Sequence, residues 1–319
     1  MSESFQRFLL PRLKKEFRKR LEEESARVVA RAAAQNLGRL VGTAPYVPPP
    51  LMLSEERRSE LGFDTYRGPQ GYHVMAIAVP DENDVSPYAV VVDRFGSVVE
   101  WAKISFFEGR RTGAAGGGPE NLRQQLQHED TEKVRRLILS WRPRLIVIGA
   151  TVGAFAARFA MAGFKGRDGA PGPVLAPILE ELNNSIPFVV PKVIWIDGRM
   201  ARVFSTSRTA SSEFKSFSPQ QCMAISLARA AQDPLMEYAR LWDDERSLTF
   251  VSFHPLQALV PKRVLHEQME RTLIRATLAP EWISTMRPNT CICRQRCSLF
   301  LGWVLARPRR CWLLCSSQV

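Results

Sequence analysis

The side chains best suited to chemistry crowd the end of the chain, where Cys291, Cys293, Cys297, Cys311 and Cys315 stand among arginines. Thiols at this density suggest zinc. The CxCx3C spacing of the first three, however, lacks the paired CxxC units of a closed site, and no histidine follows at a ligand interval. No metal is expected there. The four histidines, His73, His128, His254 and His266, are dispersed, and none has a second ligand at a zinc spacing. His254, in "FHPLQ", reads as a turn former. Residues 113–118, "GAAGGG", could bring backbone amides to a phosphate, but no Lys-Ser or Lys-Thr follows and no capped helix starts at the last glycine. They read as a surface loop, and no cofactor is expected.

Carboxylates are the remaining route to catalysis. A divalent-metal nuclease needs several of them at neighbouring strand ends to hold two ions. The strand-like "HVMAIAV" carries Ala78 where such an acid would stand, and "RLIVIG" runs into Ala150 and Thr151. Asp197, after "IWI", is the one well-placed acid, while Asp81, Glu82 and Asp84 fall in a loop beyond the first strand. One positioned carboxylate cannot clamp two ions. No residue is therefore assigned as catalytic, cofactor-binding or metal-ligating.

The elements that hold these positions can be read from periodicity. Apolar residues three or four apart, from Phe5 to about Leu40, predict a long amphipathic helix or helix pair that Gly42 and "PYVPPP" terminate. Ser54 before "EERR" could open a short polar helix. From Tyr72 the β-branched runs "HVMAIAV", "YAVVVDRFGSVVEWAKI", "RLIVIG" and "PKVIWIDGRMARVFS" predict strands, with a hairpin turn at Phe95-Gly96 and a helix over 120–141 before the third run. Leu145 to Phe164 reads as a strand and a close-packed helix rather than a membrane span, because Arg158 interrupts it. Further on, Ser218-Pro219-Gln220-Gln221 and Asp233-Pro234 are helix-start signals. Ile225, Leu227, Ala228, Leu235, Tyr238 and Leu241 predict that the two helices they open pack on each other and on the N-terminal helix. The order of strands and helices makes an α/β domain resembling the ribonuclease H-like architecture.

Composition narrows the class. At 45% hydrophobic residues the chain can fill one large core or more, and the single cysteine ahead of the tail, Cys222, fits a reducing compartment. The N-terminus offers no signal-peptide core. The net charge of +12 points to a polyanion, yet half of it comes from six arginines after Glu281, in a stretch without any Asp, Glu or Lys. Strong independent nucleic-acid binding by the rest is therefore not expected.

Three stretches carry a family resemblance: "FLLPRLKKEFRKRLEEESARVVARAAAQNLGRLVGTAPYVP", "EFKSFSPQQCMAISLARAAQDPLMEYARLW" and "FHPLQALVPKRVLHEQMER". They are similar to the suppressor-of-Ty-six family of eukaryotic transcription elongation factors and histone chaperones, which is related to bacterial Tex. The resemblance runs from about Phe8 to Arg275. It implies a helical segment of the Tex-like core at 1–50, a linker at 51–71, a YqgF-type ribonuclease H-like domain at 72–207, and a helical segment at 208–276 leading toward a helix-hairpin-helix module. The YqgF-type domain of the eukaryotic members is regarded as non-catalytic. The resemblance further implies a nuclear protein and a scaffold whose partners are the RNA polymerase II elongation complex, histones and DNA or RNA, with no membrane. The rival expectations are a YqgF-like metal-dependent nuclease and a Tex-like nucleic-acid-binding protein.

The final segment, 277–319, departs from that family. Its next motifs read like GVDIN and GLGPRKA, whereas this chain has "PEWISTM" and "GWVLARPRR". Shifting the frame by one nucleotide makes Trp282-Ile283 encode Asp and Trp303-Val304 encode Gly, because Trp has a single codon. The synonymous choices at neighbouring codons permit GVDIN over Pro280 to Thr285. A frameshift or misplaced splice junction near Leu273 to Ala279 would explain the cysteine cluster as a product of reading frame. Transcript sequence across codons 270–290 should show the junction. An uninterrupted frame there would sink the idea and return the cysteines to consideration as ligands.

Overall fold

The computed structural model describes residues 5–43, 72–79, 86–104, 120–150, 175–185, 191–243 and 245–278. The Ser54 segment, the loop with Asp81, Glu82 and Asp84, the glycine-rich run, the helix expected after Leu145–Ala150 and the cysteine cluster lie outside them. The chain divides into two compact units, Met1–Leu273 and Ile274–Val319. That division falls at the near edge of the interval in which the reading frame is expected to change.

A π-helical turn, Phe5–Leu9, leads into helix α1 (Leu10–Val41). Pro11 sits in the first turn of α1, just after the π-helical turn. Gly42 ends the helix, its N–H reaching back to the Gly38 carbonyl. Only the second half of α1 enters the core, through Ala30, Ala33, Ala34, Leu37 and Val41.

The sheet contains β1 (Val74–Val79), β2 (Tyr88–Val92), β3 (Val98–Lys103), β4 (Leu145–Ala150) and β5 (Lys192–Asp197) in the order β3-β2-β1-β4-β5. The first three strands form an antiparallel meander, and β4 and β5 add parallel to β1. This is the expected ribonuclease H-like topology. The turn between β2 and β3 is built by Asp93, whose Oδ1 accepts the amides of Phe95 and Ser97, each at 2.8 Å, while Gly96 adopts φ +77°.

Helices cover both faces of the sheet, which is why β1 has no polar alternation. On one face Met75, Ile77, Val79, Ile146 and Ile148 meet Val134, Leu137 and Ile138 of α2 (Glu120–Trp141) and Leu175, Ile178 and Leu179 of α3 (Leu175–Ser185). Helix α3 is not anticipated by the sequence reading. On the other face Val74, Ala76, Ala78, Val90 and Val147 meet Ala224, Ile225, Leu227 and Ala228 of α6 (Pro219–Gln232). Two short helices, α4 (Arg199–Ser205) and α5 (Arg208–Glu213), connect β5 to α6, and α7 (Pro234–Arg240) and α8 (Lys262–Leu278) follow.

Both helix-start signals are realised. The Ser218 hydroxyl accepts the Gln221 amide and the Gln221 side chain accepts the Ser218 amide, closing a capping box, and Asp233 caps α7 through the Met236 amide. Such caps are each worth about 1 kcal/mol. Helix α7 packs on α6 and on α1 as expected. The apolar residues of α6 instead join the sheet, because a helix buried from Gln221 to Ala231 needs the broad apolar face that the strands offer. The packing thus runs across residue 207, the expected domain boundary, which falls between α4 and α5.

Close approach between α6 and the sheet depends on small residues. Ala76, Ala78 and Gly149 present little side chain, and a Cβ on Gly149 would lie 2.2 Å from Leu227 Cδ1. Leu227 is fully buried. Gly149→Ala should therefore destabilise the protein by about 1–3 kcal/mol through overpacking. A thermal melt that does not shift would show that Leu227 repacks freely.

Candidate functional site

The carboxyl ends of the parallel strands are where a ribonuclease H-like nuclease would gather its carboxylates. In register, Ala78 pairs with Gly149 and Gly149 with Ile196, while Val79 pairs with Ala150 and Ala150 with Asp197. Asp197 is thus the single acid across the three strand ends. Its carboxylate is already engaged: Oδ2 accepts Arg199 Nε at 2.6 Å and Oδ1 accepts the Arg199 amide at 3.0 Å. Arg199 Nη1 also donates to the Ser252 carbonyl at 2.7 Å, so the pair ties the end of β5 to a distant loop. Tyr238 lies beside this pair, its hydroxyl pKa pushed up mainly by burial. Among the described residues no group of three or more His, Cys, Asp or Glu side chains could hold a metal ion.

The loop that receives Arg199 contains "FHPLQ". His254 Nδ1 accepts the Leu256 amide at 3.1 Å and its carbonyl accepts the Gln257 amide at 3.0 Å, the turn-forming role expected of it. Gln257 is buried and staples the loop from within: its amide donates to the carbonyls of Thr249 and Val251, and its Oε1 accepts the Phe253 amide. Asn36 of α1 then donates to the Phe253 carbonyl at 2.9 Å. The other histidines have no shared site. His73 faces Trp141, His266 stacks on Trp242 at 4.1 Å, and His128 lines a cleft between β3 and α2. That cleft holds about 790 Å³, and several of its charges are paired within the protein, Arg136 to Glu100 and Lys133 to Asp130.

The densest polar cluster lies on α6, where sequence reasoning placed nothing. Arg229 is buried and makes a bidentate pair with Glu213, Nη2 to Oε1 at 2.7 Å and Nη1 to Oε2 at 3.2 Å. Its Nε donates to the Gly96 carbonyl at 2.8 Å, across the β2–β3 turn, and Gln232 donates to the Asp93 carbonyl beside it. Arg240 of α7 shares Glu213 at 3.0 Å, and the buried Glu237 accepts the Ser226 hydroxyl at 2.6 Å. Burial pushes the Glu237 carboxyl above its usual range, against the pull of Arg229 and Arg240. At Glu213 burial also pushes upward, but the Arg229 hydrogen bond and the charges of Arg229 and Arg240 together hold its carboxyl below the ordinary 4.5. The one available signal is that Arg229, in the last turn, is the single charged residue of α6.

A family model described as the YqgF Holliday-junction resolvase-like domain of SPT6 matches residues 174–242. Transcription elongation factor SPT6 of Drosophila melanogaster is 28% identical over 277 residues, which is 86% of this chain and 14% of that protein. The chain is similar to the SPT6 elongation factors. A suppressor of Ty 6 homologue of Caenorhabditis briggsae is 24% identical over 83% of the chain and 16% of its own length. SPT6 of Candida albicans reaches 40% over 83 residues, 26% of the chain and 6% of that protein. The chain therefore spans about one-seventh of the length of the longer SPT6 matches. The YqgF/SPT6 match begins at α3 and ends just past α7, so it contains Asp197, Glu213, Arg229 and Glu237.

Removing Arg229 leaves Glu213 without its bidentate partner and the Gly96 carbonyl without its donor. Arg229→Ala should destabilise the fold by about 3–5 kcal/mol, the scale for breaking one partner of a buried pair. A loss within surface scatter, about 0.5 kcal/mol, would show that the cluster is dispensable. Glu213 supplies a pH test of the same pair. Because its folded pKa is depressed, its contribution is present above about 4.5 and lost as pH falls through the folded value. The stability difference between the chain and Glu213→Gln, followed by denaturant melts, should shrink on acidification below 4.5. A difference that stays flat or widens would contradict the pairing.

Proposed function

We propose that this chain is a non-catalytic scaffold segment of a transcription elongation factor and histone chaperone, acting in the nucleus to help RNA polymerase II through chromatin. Its partners on this reading are the polymerase elongation complex, histones and DNA or RNA. The observation that carries the non-catalytic part is the state of the strand ends: Ala78, Gly149 and Ala150 occupy three of the positions, and Asp197 is held by Arg199. A metal-clamping carboxylate must be open to an ion. This one is neutralised by an ion pair that also anchors the Ser252 loop. The similarity to proteins named transcription elongation factor supports the setting.

No described helix is long and apolar enough to cross a membrane. The purified chain should cleave neither RNA, DNA nor four-way junctions above background in Mg²⁺ or Mn²⁺, and it should be retained on immobilised elongation complexes or on histones. Metal-dependent cleavage that disappears in Asp197→Ala would establish the nuclease reading instead. Retention on neither surface would remove the scaffold reading.

A further inference from the structure

Two carboxyl groups share the cluster around Arg229, and they are served very unequally. Glu213, on α5, takes all of the close guanidinium bonds, from Arg229 Nη2 at 2.7 Å, Arg229 Nη1 at 3.2 Å and Arg240 Nη1 at 3.0 Å. The third nitrogen of Arg229 is spent on the Gly96 carbonyl. Glu237, on α7, lies deeper, its side chain 1% exposed against 33% for Glu213. Its ion-pair contact is Arg240 Nε at 3.4 Å, beyond the range of about 2.7–3.2 Å expected of an N–H···O bond. What meets Glu237 at hydrogen-bond distance, among the described residues, is the uncharged Ser226 hydroxyl, at 2.6 Å. A buried carboxylate is tolerated where charged donors satisfy it, and here those donors have gone to its neighbour.

The Ser226 hydroxyl also lies 3.5 Å from Met200 Sδ of α4, and Ser226 and Met200 are both buried. It has one proton and two acceptors within reach. A carboxylate at position 237 claims that proton, whereas a carboxylic acid supplies its own and frees the Ser226 proton for the sulfur. The 2.6 Å separation serves either direction.

We propose that Glu237 folds as the neutral acid, donating to Ser226 while Ser226 donates to Met200, and that ionising it turns the Ser226 hydroxyl round, making a proton-operated switch where α4, α6 and α7 meet. The charges that act on the carboxyl are Arg229 of α6, Arg240 of its own helix and Glu213 of α5, and burial outweighs the pull of the two arginines. From α1, which also packs on α7, the buried residues are Ala30, Ala33, Ala34, Leu37 and Val41, none of them titratable. The switch lies inside the fold, so it requires no free surface and stands independently of the elongation reading.

The pH dependence has a defined sign. A carboxyl that keeps its proton on folding contributes stability that is full below the ordinary value of 4.5 and is lost as pH rises through the folded value. Glu213 acts in the opposite window, below 4.5. Denaturant melts of the full chain under reducing conditions should therefore differ from those of Glu237→Gln by a fixed amount below 4.5. Above it the parent should lose up to about tenfold in its folding constant, relative to the variant, for each pH unit until Glu237 ionises in the fold. Infrared difference spectra of the two proteins should show, above 4.5, the band of an un-ionised carboxylic acid that the variant lacks. Ser226→Ala takes the donor from the ionised state and should raise the pH at which this band disappears. Met200→Leu takes the acceptor from the neutral state and should lower it. The band reports the proton directly, so these shifts are separate from any loss of stability in the variants. A stability difference that is the same at every pH, no such band above 4.5, or a band whose midpoint either substitution leaves in place would overturn the proposal.

Discussion

The buried Arg229 guanidinium is the constraint around which the described structure is organised. One side chain from the last turn of α6 joins the β2–β3 turn through Gly96, α5 through Glu213 and, by way of the shared Glu213, α7 through Arg240. An ionised arginine taken out of water is tolerated only when its donors are met by good geometry, and here the fork meets both carboxylate oxygens while Nε meets a carbonyl. The turn is shaped for this contact. Gly96 has φ +77°, which favours glycine, and a Cβ there would lie 3.0 Å from Arg229 Nε, so a side chain would also crowd the arginine. The stretch "SLARAAQDPLMEYA" that carries the family resemblance is therefore, in this structure, a packing and clamping motif.

The same holds for the other diagnostic stretch. His254 and Gln257 of "FHPLQ" spend their hydrogen-bonding capacity on the backbone of their own loop, and Asn36 fastens that loop to α1. Arg199 reaches the loop from the opposite side through Ser252. Asp197, which in sequence looks like the residue of a metal site, is thus the inner end of a mechanical link from sheet to loop to helix. A carboxylate in that role works by staying paired, which is the opposite of what an ion-binding site needs.

Much of this was legible beforehand, and the legible part has a common physical basis. Strands β1 to β5, the Phe95-Gly96 turn, the 120–141 helix and the caps at Ser218 and Asp233 all follow from local periodicity or from one residue's backbone preference. What escaped depends on tertiary contact. Helix α3 has its buried Leu175, Ile178 and Leu179 at helical spacing, but Pro177 in its first turn reads as a breaker unless one knows where the helix begins. The orientation of α6 onto the sheet was missed because its apolar residues surround it, so no stripe states which neighbour each face will meet. The inward turn of Arg229 was missed because its partners are 16 and 133 residues away.

These two kinds of legibility bear on how the sheet holds together with Ala78, Gly149 and Ala150 at its strand ends. The sheet's stability rests on β1 being apolar on both faces and on α6 lying close against it, which Ala76, Ala78 and Gly149 allow. An acid at position 78 would face α6 across that close contact, where nothing but apolar side chains lies in the surrounding cluster. Its burial without a counter-ion would be costly. A small residue there favours the tight seating of α6, and that seating brings Arg229 within reach of the hairpin. The small residues of the strands and the clamp are then two aspects of one packing arrangement: Ala76, Ala78 and Gly149 let α6 approach, and the charge that α6 carries is met by an internal ion pair away from the strand ends.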